Sequence, residues 1–226
     1  INSSSAVLGF VRESKEQGFV PRVGIDFRNG MTQQFVGIAK NNEGFNELNA
    51  FLSEHLGNHT PFPVRAPRWE NAFAVYPWKK APGKILQHEW IGVGMQDLNR
   101  MIVTATKEEI SKMVILQTMT FVSKKHFNTH RLLRAIDSNC LLSKLPLSAQ
   151  ASENDKFIAR SELYKAFADY PEIIENTEKL LAACSIDFDL GEAAEPQNKA
   201  IYSNSKEEDI QVLHELAAKG ITYRYK

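Results

Sequence analysis

Apolar residues recur along this chain in two periods. Val20–Phe27 alternates and is rich in β-formers, which predicts a strand. Phe35–Ala39, Phe73–Trp78, Glu89–Val93 and Met113–Met119 predict four more. Between them the period lengthens. Phe45, Leu48, Leu52 and Leu56 fall on one helical face after the turn Asn41-Asn42-Glu43-Gly44, and His126–Ile136 predicts another helix. Ser3-Ser4-Ser5 precede an apolar run that reads as a capped helix carrying Leu8 and Val11, with Gly18 as its stop. Leu8, Val11, Leu48 and Leu52 are the expected core of the first half. Thr106 with Glu109, and Ser205 with Glu208, fit capping boxes. The prolines of Thr60–Pro67 require a loop.

Strands alternating with helices predict an α/β domain with largely parallel strands. From Ser161 to Cys184 the pattern is wholly helical. Pro171 opens one helix there, with Glu172 and Glu175 in its first turns and Ile173, Ile174, Leu180 and Leu181 on one face. Asp187–Asn204 is polar, contains Gly191 and Pro196, and reads as a tether. Ile210, Leu213 and Leu216 line a last helix stopped by Gly220.

At 226 residues, 43% of them hydrophobic, the chain has material for a full core. Its 27 basic residues balance 27 acidic ones. That balance disfavours a stand-alone nucleic-acid binder, although it is compatible with a local basic face. Cys140 and Cys184 form no framework and read as reduced thiols, so a cytoplasmic protein is expected. No apolar run approaches the roughly 20 residues of a membrane span, so no membrane partner is expected. The chain begins at Ile1 without a Met, and its natural start is expected to lie upstream.

Several short blocks point to one family. Phe167-Ala168-Asp169-Tyr170-Pro171-Glu172, followed by Asn176-Thr177 and Cys184, resembles the stretch near the end of the PHP domain in the bacterial DNA polymerase III alpha subunit. Phe19-Val20-Pro21-Arg22-Val23-Gly24-Ile25-Asp26 is similar to a strand of that family. Ile38-Ala39-Lys40-Asn41-Asn42-Glu43-Gly44-Phe45 is similar to its "L-A-K-N-x-E-G-[YF]" turn. His130-Arg131-Leu132-Leu133-Arg134-Ala135-Ile136 resembles its "A-H-D-x-L-x-x-I" helix. Leu216–Tyr225 resembles the helix that begins the polymerase part. Residues 60–110 match weakly. The resemblance implies a distorted seven-stranded, TIM-like barrel of the PHP type, α/β in class, incomplete at its N-terminus and followed by a helical extension. It places the PHP domain at 1–190, and a linker with the first helix of the polymerase region at 191–226.

PHP domains are metal-dependent phosphoesterases in many settings, with His, Asp and Glu ligands at strand ends activating a water. The resemblance places Asp26 where the family has Glu, and Gln34 where it has His. Thr118 and Thr120 stand where it has an Asp-x-His pair, and Ile1 where it has the His of a "T-D-H" turn. A first His-x-His motif would lie upstream. Gln and Thr are poor ligands for a catalytic transition metal. The expectation is therefore a degenerate metal site at Asp26, Gln34, Thr118 and Thr120, with no catalytic residue and no metal or other cofactor in this piece. Magnesium belongs to the parent polymerase, whose catalytic carboxylates lie further downstream.

Other constellations carry less. His126 and His130 share a helical face, but no third ligand follows. His55 and His59 have the same spacing with Gly57 between them. Gly92-Val93-Gly94 follows a strand but lacks the third glycine of a dinucleotide loop. Trp69, Trp78 and Trp90 have the chemistry to stack bases, with Trp78 beside Lys79-Lys80 the best placed; packing at a strand end is the competing reading. The resemblance implies a non-catalytic structural and partner-binding module of a replicative polymerase. Its partners would be the remaining domains of the alpha subunit, a proofreading exonuclease subunit, and DNA through the parent polymerase. The alternative is an active metal-dependent phosphoesterase or 3′–5′ exonuclease.

Overall fold

Five strands, β1 (Gly24–Asn29), β2 (Thr32–Ala39), β3 (Ala72–Pro77), β4 (Glu89–Val93) and β5 (Met113–Ile115), form one sheet in the order of the chain. The computed structural model describes residues 2–189 and 201–224. It divides into two compact units, Ile1–Phe188 and Asp189–Lys226. Within the first lie α1 (Val7–Glu16), α2 (Asn42–Gly57), α3 (Leu98–Thr104), α4 (Lys107–Ile110), α5 (Lys124–Asp137), α6 (Arg160–Ala166) and α7 (Pro171–Ala182). The second contains α8 (Lys206–Arg224).

The sheet is mixed. β1, β2 and β3 are antiparallel neighbours, whereas β3, β4 and β5 run parallel. The expectation of largely parallel strands holds only for the second half. A two-residue turn at Gly30, with φ of +60°, joins β1 to β2, and such a tight antiparallel connection needs no crossover helix.

Side chains alternate between the two faces of the sheet. On one face Phe27, Phe35 and Tyr76 meet Leu48, Phe51 and Leu52 of α2. Phe62 and Trp69, from the proline-rich loop, complete an aromatic core in which Phe27 lies 5.2 Å from both Phe35 and Phe62. Gly37 allows α2 to sit this close, because a Cβ there would stand 2.4 Å from Leu48 Cδ2. On the other face Val75 and Val114 pack with Leu180 and Cys184. Ile91, Val93 and Met113, on the same face as Tyr76, pack with Met101, Phe167 and Ile173. Thus α7 straddles β5, with Ile173 on one side and Leu180 on the other.

The expected seven-stranded barrel is not formed among the described residues; their sheet is open and has five strands. A barrel requires its first and last strands to pair. Here β1 and β5 stand at opposite ends of the order, and side chains occupy both outer edges. At β5, Asn176 Nδ2 donates to the carbonyls of Ser111 and Met113, and Ile115 N donates to Thr177 Oγ1 at 2.8 Å. At β1, Asn2 N donates to the Asp26 carbonyl at 3.0 Å. The Asn2 amide also bonds the N–H and the carbonyl of Arg28, each at 2.8 Å.

Several boundaries differ from the sequence reading. Helix α1 starts at Val7 after Ala6, without a serine cap, and turns Val11 and Ser14 inward. Leu8, expected in the core, is 57% exposed, whereas Val11, Leu48 and Leu52 are buried. The strand expected at Met113–Met119 ends at Ile115. The capping box at Thr106 forms, with Glu109 N donating to Thr106 Oγ1 and Thr106 N donating to Glu109 Oε2. In α8, Ile210, Leu213 and Leu216 are all exposed. Gly191 and Pro196 of the expected tether, together with Ile1 and Tyr225, lie outside the described residues.

Candidate functional site

The β1–β2 hairpin carries two of the four expected metal-site positions. Asp26 points to the face opposite the aromatic core. Its Oδ2 accepts from Arg28 Nε at 2.7 Å and its Oδ1 accepts from Gln33 Nε2 at 2.9 Å. The same guanidinium donates to the Met31 carbonyl at 3.0 Å. Asp26 and Arg28, two apart in β1, share a face, and a register shift that leaves Gln34 of β2 unpaired sets Gln33 opposite Arg28, within reach of Asp26. Both carboxylate oxygens are therefore engaged, one by a full positive charge. Gln34 is buried and donates to its neighbour, the Thr32 carbonyl.

Thr118 and Thr120 follow β5, at the far end of the strand order. Thr118 is half-buried and Thr120 exposed; the latter's N–H donates to the Asp155 carbonyl at 2.7 Å. Burial pushes the Asp155 carboxyl above its ordinary value, against the opposing pull of Arg28. The structure thus unites Asp26 with Arg28 and Gln33. Among the described residues, no group of three or more His, Cys, Asp or Glu is placed to hold a metal ion.

The histidine pairs separate in the same way. His130 Nε2 accepts from Ala151 N at 2.9 Å, and burial holds the imidazole below its usual pKa, whereas His126 is exposed. His55 pairs with Thr60, and His59 sits at φ of +53° beyond the helix. The Cys184 thiol is buried and pushed up, hence unreactive. Gly92 is needed for packing, since a Cβ there would stand 2.5 Å from Leu116 Cδ2. Trp78, the favoured stacking candidate, packs against the β4–β5 core, with the Arg100 guanidinium 6.0 Å from its ring centre.

Two of the family-like blocks have clear structural work. In Lys40–Phe45, Asn41 Oδ1 caps α2 by accepting from Gly44 N at 2.9 Å. A Cβ on Gly44 would stand 1.8 Å from the Asn71 carbonyl oxygen. Asn42 exchanges two hydrogen bonds with the Asp187 backbone. The block therefore joins the start of α2 to two distant loops. In the Pro171–Leu180 block, Asn176 and Thr177 close the sheet edge.

Sequence reasoning missed the most buried charge. Glu89 at the start of β4 is 0% exposed. Arg65 pairs with it through two hydrogen bonds, at 2.9 and 2.7 Å, and Tyr76 Oη and Leu86 N donate as well. Burial opposes the ionised form, but these donors outweigh it and hold the Glu89 carboxyl below its ordinary value. Burial pushes the Tyr76 hydroxyl up. The available signal was a lone acid opening an apolar strand. The cluster ties the loops on either side of β3 together and offers no open position to a substrate.

No family model matches the chain. It is similar to DNA polymerase III subunit alpha of Halalkalibacterium halodurans, with 25% identity over 107 residues. That similarity covers 47% of this chain and 9% of the relative.

Proposed function

We propose that this chain is a non-catalytic module of the DNA replication machinery, related to the PHP region of the polymerase III alpha subunit. Its role is to brace the polymerase and to present a surface to a partner such as a proofreading exonuclease. The similarity to the alpha subunit supports the replication setting. The occupied carboxylate of Asp26 carries the non-catalytic reading. A guanidinium bonded to the only acid among the four positions opposes a divalent cation at the same oxygens. Gln34, Thr118 and Thr120 supply no anionic ligand. This donor set does not fit a resident catalytic metal.

The test is made on the purified full chain. Elemental analysis is expected to find no stoichiometric zinc, manganese or iron. Incubation with a 3′-labelled single strand and added manganese is expected to release no nucleotide. Co-elution with the proofreading exonuclease of the same organism is expected. Two tightly bound metals per chain with nucleotide release would overturn the reading in favour of an active exonuclease.

A further inference from the structure

A groove of about 1010 Å³ lies beside β3 and β4, away from Asp26 and its partners. Its volume is at the top of the roughly 300–1,000 Å³ range of small-molecule pockets, which suits an extended ligand. Lys40, Arg68 and Lys112 line it, with Glu70 as the one acid. Phe73 and Trp90 supply aromatic surface, their ring centres 6.5 Å apart and edge to face. The cations alternate with the rings: Lys40 Nζ lies 4.7 Å from the Phe73 ring centre, and Lys112 Nζ lies 5.2 Å from that of Trp90.

Two polar atoms on the groove's own side chains are left over. His88 Nε2 and Trp90 Nε1 are buried and have no hydrogen-bond partner. Buried polar groups are nearly always paired, so two orphans on adjoining lining residues mark a place where a partner is missing. An indole nitrogen only donates, so the partner of Trp90 must accept. Burial lowers the His88 pKa against the pull of Glu89, and Arg68, Lys40 and Arg65 lower it further.

We propose that this groove binds single-stranded nucleic acid, with Lys40, Arg68 and Lys112 on the phosphates and Trp90 and Phe73 against the bases. The inference does not rest on the function proposed above. Alternating cations and ring faces, with the spare indole donor of Trp90, is the chemistry of sequence-tolerant single-strand binding. A phosphate that draws a lysine off its ring also uncovers that ring for a base. An acidic peptide would use the cations but would leave the ring faces unused. The chain's zero net charge had hidden this local basic surface.

The experiment is fluorescence anisotropy of a labelled oligothymidylate titrated with the full chain at low salt. The double variant R68E/K112E is expected to bind at least about tenfold more weakly, with a shallower salt dependence. The double variant K125E/R131E on α5 is expected to match the parent. Should R68E/K112E fail to fold, R68Q/K112Q is expected to show a smaller loss in the same direction. Tryptophan quenching by unlabelled oligonucleotide is expected in the parent. No binding, equal binding by the groove variants, or equal competition by polyglutamate would overturn the proposal.

Discussion

Asn176 Nδ2 donates to the carbonyl of Met113 at 3.1 Å, across 63 residues of chain. One helical amide thereby occupies a backbone acceptor that the neighbouring strand of a larger sheet would otherwise take. Thr177 next to it accepts from Ile115 N and donates to the Ile173 carbonyl within its own helix.

Replacing Asn176 with Ala is expected to cost about 1–3 kcal/mol, because the Met113 carbonyl is then left buried and unpaired. Urea unfolding of the full chain measures it. A loss under about 0.5 kcal/mol would show that water serves the edge equally well.

The Arg65–Glu89 pair predicts a pH response. In the parent the Glu89 carboxyl titrates below its ordinary value of 4.5. Its contribution is present above that value and is lost as the pH falls through the folded pKa. In Arg65→Ala, burial acts with less opposition and the folded pKa rises. Less of this stability is then present at neutral pH. Thermal melts of both proteins from acid to neutral pH are expected to diverge upward. Tyr76→Phe is expected to cost about 1–3 kcal/mol, because it strips a partner from the buried N–H of Ala66.

Leu52→Ala is expected to cost about 2–5 kcal/mol, and Leu8→Ala less than about 0.5 kcal/mol. Leu52 is 5% exposed on the inner face of α2, whereas Leu8 faces solvent from the same compact unit. Equal losses in a denaturant titration would mean that α1 is rotated from the position described.

The elements themselves were legible because their periods are strong. Leu48 and Leu52 announce α2, and short apolar runs announce β3 and β4. What the periods omit is how the strands pair. Pairing depends on groups far apart in sequence, such as Asn2 with Arg28, or Asn176 with Met113. A resemblance in short blocks supplied a barrel, but those blocks encode a helix cap, an edge lock and a tight backbone approach, all of which an open sheet satisfies. At the expected metal position Asp26, a carboxylate in sequence shows no partner. Arg28, two residues on, shares its face of β1, and the bulge at Gln34 adds Gln33 from β2. The basic groove escaped notice for a related reason: Lys40, Arg68 and Lys112 lie in three separate segments, and only the fold sums their charge.

Because strand order equals chain order, each strand from β2 onward finds its partner already made when it leaves the ribosome. The sheet grows in one direction, from the hairpin toward β5, and its pairings demand modest loop closure. The exception is the final edge, which stays open until α7 has been synthesised. Docking of α7 is therefore the late step of folding. In that interval the newborn domain presents an unguarded strand to any other chain nearby.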